Sequence, residues 1–267
     1  MKTITLLNEK GGVGKTTIAT HLAAGLAIKG LKVVLLDMDP QANTTQLLFD
    51  NPREQIQDYQ NIYDLLVRYK DWGKLLVYPS LIRWSGDHTP KGTLAVLPGN
   101  IETRSIPMMV GDVLLLRKRL AELKGAVDIV VIDTSPTPSL LNAMILFGTD
   151  AILYPTECEP LSLAGIQQTL IHVGELNTQR TAQGMEETYM VGVQPTKYKR
   201  IRAHDYGLEL LQGKFQEQVY PALANRKEWV EASYQLQTVF AYAPQSVTAT
   251  EAWNMVDRVV AGMQQHG

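Results

Sequence analysis

The run Lys10-Gly11-Gly12-Val13-Gly14-Lys15-Thr16-Thr17 constrains this chain more than any other stretch. An apolar segment, Ile4 to Leu7, precedes it, and an alanine-rich pattern of helical period, Ile18 to Ile28, follows it. Strand, glycine loop and helix in that order are the setting of a phosphate-binding loop. Glycine lets the backbone curl so that successive N–H groups converge on one anion. The helix behind the loop adds the positive end of its dipole and its unpaired N–H groups. Lys15 is expected to reach the β- and γ-phosphates, and the Thr16 hydroxyl to ligate Mg²⁺ beside phosphate and water oxygens. Gly11, Gly12, Val13, Gly14 and Thr17 complete the expected cradle. The bland alternative is a glycine-rich turn that happens to carry Lys-Thr, and it leaves the agreement of loop, lysine, hydroxyl and flanking elements unexplained. The chain is expected to bind a nucleoside triphosphate.

Length and composition fit an α/β protein with a full core. At 267 residues, 45% of them apolar, one large domain over 1–267 is the simplest organisation. The formal net charge of −2 gives no global attraction to nucleic acid or to an anionic membrane, so any such contact needs a local patch. The single cysteine, Cys158, excludes an internal disulfide and suits a reducing cytosol. No apolar run approaches the roughly 18 residues of a membrane-spanning helix. The N-terminus enters a strand at once, without a long apolar signal segment. A cytoplasmic location is expected.

Further along, short apolar strands are expected at 3–7, 32–36, 93–97, 127–132, 151–154 and 189–193. Helical patterns are expected at 18–28, 113–123 and about 161–176, 205–219 and 248–263. Gly30 stands where a helix would stop. Continuous rather than alternating apolar strands indicate a sheet covered on both faces. Their alternation with helices predicts a mostly parallel twisted sheet with helices on both sides. Within residues 50–92, Ile62-Tyr63-Asp64-Leu65-Leu66 reads as a helical turn or two; beyond it there is no clear period, and the segment is expected to be a surface excursion packed by aromatics such as Trp72, Tyr78 and Trp84.

Ligands of open parallel sheets sit at the carboxyl ends of the strands. Three ends here carry relevant groups: the glycine loop, Asp37 with Asp39, and Asp133 closing Asp128-Ile129-Val130-Val131-Ile132-Asp133. Asp133 is expected to hold Mg²⁺ through water, although a strand-end aspartate also serves as a helix cap or turn former. Phosphoryl transfer to water needs a group that orients the attacking water, and Asp39 is the candidate. Asp37 is expected to face the metal's water shell. The loop Pro40-Gln41-Ala42-Asn43 is a candidate switch, whereas Thr134-Ser135-Pro136-Thr137-Pro138-Ser139 reads equally as a second switch or a rigid turn.

Lys10, just before the first glycine, is not part of the ordinary phosphate-loop pattern. Lys-Gly-Gly-Val-Gly-Lys-Thr-Thr resembles the deviant Walker A motif of the ParA/MinD ATPases. The likeness continues through Asp37-Met38-Asp39-Pro40-Gln41-Ala42-Asn43, Val131-Ile132-Asp133-Thr134-Ser135-Pro136, Tyr154-Pro155-Thr156-Glu157 and Tyr242-Ala243-Pro244-Gln245-Ser246, the last two favouring the ParA branch. The resemblance covers nearly the whole chain except residues 68–92, which look longer than the family's minimal pattern. It implies an ATP-dependent homodimer that sandwiches two ATP molecules, with Lys10 reaching the partner's nucleotide and slow, partner-stimulated hydrolysis separating the dimer. It also implies that Pro221, after Tyr220, packs on adenine.

ParA-type dimers coat duplex DNA without sequence preference, and MinD-type proteins dock on membrane through a C-terminal amphipathic helix. The final helix here carries Glu251, Asp257 and Arg258 and lacks a basic face, so its apolar stripe is expected in the core. Lys197, Lys199, Arg200 and Arg202 crowd six positions, and Arg226 and Lys227 follow. From charge alone this is a solvated turn or a phosphate-contacting patch; the resemblance implies the second. The implied role is cargo segregation or positioning through a ParB-like or other adaptor, with nucleoid association in the ATP state. A membrane-cycling role is the alternative. Electron transfer through a cluster shared between subunits needs two cysteines per chain, and a scaffold that only dimerises needs a missing catalytic group; the chain offers neither.

Overall fold

A computed structural model of the chain describes residues 1–48, 60–78, 91–137, 139–159 and 162–266. Six strands form one parallel sheet: β1 (Lys2–Leu6), β2 (Lys32–Met38), β3 (Thr93–Leu97), β4 (Ile129–Thr134), β5 (Ala151–Glu157) and β6 (Tyr189–Thr196). Their order across the sheet is β3-β2-β4-β1-β5-β6. All six lie where the apolar runs predict them, but β2 and β4 run further than expected. Asp37 and Asp133 are therefore ladder residues, paired directly across β2 and β4. Leu6, the last residue of β1, pairs with Asp133 from the other side.

The strands are apolar at successive positions because both faces are covered. Ile4, Leu6, Val33, Leu35, Val131 and Leu153 enter one core, beneath the Lys15–Ile28 and Val247–Gln264 helices. Val34, Leu36, Val130 and Ile132 point the other way, onto the Ile62–Leu66, Leu115–Ala121 and Leu140–Phe147 helices. On the β5–β6 side, Ile152, Tyr154 and Val193 meet the Ser162–Ala182 and Arg202–Phe215 helices. Each fully buried aliphatic side chain contributes about 1.5–3 kcal/mol.

The Lys15–Ile28 helix departs from the sequence expectation of one buried face. Twelve of its residues are buried, because the Val247–Gln264 helix covers the side turned away from the sheet. Small residues, Ala19, Ala23, Ala24 and Ala27, allow this close packing on several sides. The helix ends as predicted at Gly30, whose φ of +104° closes a paired cap: Gly30 N–H donates to Ala27 O and Leu31 N–H to Leu26 O. The final helix buries Ala252, Met255, Val256 and Val259, so its stripe belongs to the core.

Residues 60–78 are more than a surface excursion. Asn61 caps the Ile62–Leu66 helix in a reciprocal box with Asp64, and Ile62, Leu65, Leu66, Trp72 and Leu75 enter the core. The Trp72 indole donates to Arg119 O at 3.0 Å. Of the other aromatics expected there, Tyr78 is exposed and Trp84 lies outside the described residues.

Two unforeseen helices matter for the site. Leu140–Phe147 starts at Ser139, whose hydroxyl accepts from Asn142 N–H, and ends under the buried guanidinium of Arg180, which donates to Leu146 O and Phe147 O. Lys227–Tyr234 forms a wall beside the glycine loop.

His21 joins these layers. Its Nε2 accepts from Val239 N–H at 3.0 Å, so Nδ1 carries the proton and donates to Thr17 O at 2.7 Å. The ring lies edge-on to Trp229. Full burial pushes its pKa down to about 4 from 6.5, only partly offset by the Thr17 bond. The unfolded chain therefore binds the extra proton first. The His21 contribution to stability is complete above about pH 6.5 and falls by about 3 kcal/mol as the pH drops to 4. By NMR, the His21 ring signals should stay neutral through pH 6.5 and shift only near pH 4 in the folded protein; titration near 6.5 would contradict this packing.

Candidate functional site

The carboxyl ends of β1, β2, β4, β5 and β6 converge on the glycine loop. Gly12 and Gly14 have φ of +76° and +91°, left-handed values that side-chain-bearing residues rarely adopt. They turn the loop so that Lys15 opens the helix, and Ile18 N–H bonds back to Gly14 O. The loop is anchored from two sides. Asn8 accepts from Lys10 N–H and donates to Pro155 O. The Thr196 hydroxyl, at the end of β6, is 2.9 Å from Val13 O and 3.0 Å from Thr156 O.

Lys15 is almost fully buried, and its ammonium donates to Asn8 O at 2.8 Å and Lys10 O at 3.3 Å. Burial lowers its pKa, while the Asp133 and Asp39 charges work in the opposite sense. The cation thus waits at the loop on weak carbonyl partners that an anion in the cradle outcompetes.

Asp133 is the centre of the acidic side. Its Oδ2 accepts from the Thr16 hydroxyl at 2.7 Å and from the Thr44 hydroxyl at 2.8 Å. Its Oδ1 is buried without a hydrogen-bond partner among the described residues. Burial raises its pKa, against the two hydroxyl donors. An orphaned carboxylate oxygen beside a threonine hydroxyl at a phosphate loop suits a magnesium ion, which takes one or two protein oxygens and completes its shell with water and phosphate. No group of three or more His, Cys, Asp and Glu side chains is placed to hold a metal among the described residues, so this would be an ion shared with a bound phosphate rather than a protein cage.

Asp37 pairs with Asp133 across the neighbouring strand. It is fully buried, and both its oxygens serve the chain itself: Oδ2 accepts from Thr45 N–H at 2.8 Å and the Thr45 hydroxyl at 2.7 Å, and Oδ1 from Asp39 N–H at 3.2 Å. Burial and the neighbouring Asp133 raise its pKa. Through these bonds Asp37 organises the loop from Asp39 to Thr45. Asp39 is also largely buried. Its Oδ1 accepts from Gln41 N–H, and it borders a cavity of about 440 Å³ shared with Pro40, Gln41, Ser135 and Pro136. Both candidate switch segments thus meet beside Asp39.

A second cavity, of about 450 Å³, opens from Gly14, Thr17 and Ile18 toward Leu223, Asn225, Arg226 and Trp229. Its largely apolar walls suit a nucleoside next to the phosphate loop. Pro221 does not line it. The chain at 220–223 runs beside β6, with Tyr220 N–H on Val193 O and Leu223 N–H on Pro195 O, and this brings residues 223–230 to the cavity instead. Sequence reasoning missed this wall; the Ala-Asn-Arg-Lys-Glu-Trp run, polar residues before an amphipathic stretch, is the signal it carries.

Lys10 points outward, about 40% exposed, to Glu157 at 2.5 Å and Glu159 at 2.8 Å. Burial disfavours its charge, but the two carboxylate bonds outweigh that and raise its pKa. The six basic residues expected to form one patch are divided. Lys199, Arg200 and Arg202 are exposed at the start of the Arg202–Phe215 helix. Lys197 bonds Glu157 at 3.0 Å, Arg226 bonds Glu251 at 3.0 Å, and Lys227 bonds Glu231 at 3.4 Å. Cys158 is buried, and burial with nearby acidic charge pushes its thiol up to about 12, which makes it an inert core group.

A family model described as an AAA domain matches residues 1–185. The chromosome partitioning protein ParA of Myxococcus xanthus is 31% identical over 231 residues, which cover 84% of this chain and 75% of that protein. This chain belongs to the ParA/MinD family of P-loop ATPases. Sporulation initiation inhibitor protein Soj of Bacillus subtilis is 29% identical over 270 residues, 97% of this chain and 98% of that relative. Among solved structures, Cyanothece McdA in complex with ATP superposes with a TM-score of 0.76 at 17% identity, covering 98% of this chain and 96% of that one. The ParA/MinD fold thus extends over essentially the full chain. No helix among the described residues is long and apolar enough to cross a membrane.

Thr45 tests the inner architecture of the site. Its hydroxyl donates to Asp37 and accepts from Gly99 N–H at 3.0 Å. Thr45→Val keeps the shape and removes both bonds, so the nucleotide-free protein should lose about 2 kcal/mol in urea unfolding. Thr45→Ser should recover most of that loss.

Proposed function

We propose that the chain is a Mg²⁺-dependent ATPase, a single P-loop domain over 1–267, that dimerises on ATP and releases its partner on hydrolysis. The observation that carries the reading is Asp133, with the Thr16 and Thr44 hydroxyls on one carboxylate oxygen and the other oxygen buried without a partner among the described residues, at the mouth of a loop with two left-handed glycines. Gly11, Gly12, Val13, Gly14 and Thr17 hold the phosphates by backbone and hydroxyl donors, and Lys15 leaves its loop carbonyls for them. Thr16 and Asp133 hold Mg²⁺ directly or through water. The bound ion neutralises charge on the phosphate oxygens. Asp39 orients the attacking water at the cavity bordered by both switch segments. Lys10, on the rim, reaches the nucleotide of a second copy and stabilises charge there.

The dimer is proposed to hold duplex DNA through phosphate contacts, with Lys199, Arg200 and Arg202 as the residues best exposed for them. Family membership supports partition or positioning of a cargo, with an adaptor that accelerates slow hydrolysis and association with the nucleoid in the ATP state. The burial of Ala252, Val256 and Val259 works against the membrane-cycling alternative, because the stripe such docking needs is already in the core.

The test uses Asp39→Ala. It should bind ATP with normal affinity, lose at least about a hundredfold in turnover, and accumulate as a dimer with ATP and Mg²⁺ on size exclusion. That dimer should co-sediment with plain duplex DNA in a salt-sensitive way, and Lys10→Ala combined with Asp39→Ala should remain monomeric. Normal turnover by Asp39→Ala would reassign the water-orienting role, and persistent monomers would remove the dimer.

A further inference from the structure

Lys197 stands apart from the basic residues near it in sequence. It follows the last residue of β6 and has a φ of +51°, an uncommon left-handed value for a residue with a side chain. Thr196, one residue earlier, is pinned to Val13 O and Thr156 O, so the backbone that turns at Lys197 is fixed to the phosphate loop itself. The turn continues as Tyr198 N–H bonds to Leu223 O. The Lys197 side chain is thereby carried back over the loop. Its ammonium lies 3.9 Å from where a Cβ on Gly12 would stand, and it lines the 450 Å³ cavity with Gly14 and Thr17.

The ammonium is held there by Glu157 alone among the side chains described, at 3.0 Å through Oε1, while Oε2 of the same carboxylate takes Lys10. One carboxylate thus bridges two lysines at the loop mouth, and Glu159 shares Lys10. Lys197 is about half exposed, so its bond to Glu157 is solvent-screened and cheap to exchange. A polyphosphate in the cradle brings several negative charges into a site where Lys15 already faces inward and Gly12 presents no side chain to block the approach.

From this geometry we infer that Lys197 is a phosphate-contacting residue acting on its own chain's nucleotide, released from Glu157 when the loop fills. The inference rests on the nucleotide reading above. It removes Lys197 from the DNA-contacting set and makes it a second lysine of the phosphate site, beside Gly12. Glu157 then keeps only Lys10, so filling of the loop is felt at the residue proposed to cross to the second copy.

Isothermal titration of ATP and ADP with Mg²⁺ tests it. Lys197→Gln should bind both nucleotides about tenfold more weakly, the scale of one lost charge-assisted hydrogen bond at a partly exposed site. Its melting temperature without nucleotide should equal that of the parent, and Lys197→Arg should restore affinity to within about threefold. An affinity unchanged in Lys197→Gln overturns the inference, as does a loss that arginine does not repair or that accompanies a lower melting temperature. Lys15→Ala run alongside separates the two levels. If it also binds ATP normally, the nucleotide reading fails; if it fails to bind while Lys197→Gln binds normally, only the role of Lys197 fails.

Discussion

The carboxylate of Asp133 is the contact on which the site depends. It sits in the middle of the sheet, between Leu6 of β1 and Asp37 of β2. One of its oxygens takes the Thr16 hydroxyl from the phosphate-loop helix and the Thr44 hydroxyl from the segment after β2. Loop and switch are therefore fastened to one atom. Burial pushes both carboxylates toward the protonated form, reinforced by the Asp133 charge at Asp37 and by the Asp39 charge at Asp133. The Mg²⁺ ion proposed to lie beside Asp133 would relieve this repulsion. Asp37 resolves its own half internally, with three donors from Asp39 and Thr45. Asp133 keeps one oxygen without a partner among the described residues.

Much of this arrangement was legible in the sequence because the elements that position it are local. Apolar runs gave six strands in their places, and Lys-Thr-Thr after three glycines gave the loop. Gly30 gave a helix end. The roles that needed a neighbour from far along the chain were not legible. Asp37 and Asp133 look alike as strand-end carboxylates, and only the pairing of β2 with β4 and the reach of Thr45 separate an organiser from a candidate metal ligand. The Leu140–Phe147 helix was hidden behind Thr-Pro-Thr-Pro-Ser, whose prolines read as a turn; Ser139, as its cap, was the available signal. Pro221 lies outside the cavity lining for a topological reason. The chain at 220–223 is spent bonding to β6, and the cavity wall begins only at Leu223.

The basic run shows the same limit in charge. Within six positions, Lys197, Lys199, Arg200 and Arg202 look like one patch. A left-handed residue at the end of β6 turns the first of them back over the loop, whereas the others continue outward to the start of a helix. Backbone conformation at one residue thus divides a continuous charge cluster into groups with different partners. Arg226 and Lys227 are adjacent in sequence and also part, one to Glu251 against the cavity and the other to Glu231 on the surface.

Glu157 makes the rim of the site a place where occupancy and association share one carboxylate. Lys10 is engaged by Glu157 and Glu159 within a single chain, yet it remains about 40% exposed. An exposed ion pair is worth at most about 1 kcal/mol, so two such contacts hold an ammonium in place without committing it. In the proposed dimer, a nucleotide on the second copy would offer a denser negative charge inside a contact shielded from water, where each hydrogen bond to phosphate is stronger than at the surface. In that proposal the exchange would favour the second copy only when its loop is filled, because an empty loop presents N–H groups and the Lys15 ammonium rather than an anion. Within one chain the rim lysines are balanced by Glu157 and Glu159, so the anion in the loop, and not the rim itself, is what would draw Lys10 across in the proposed dimer.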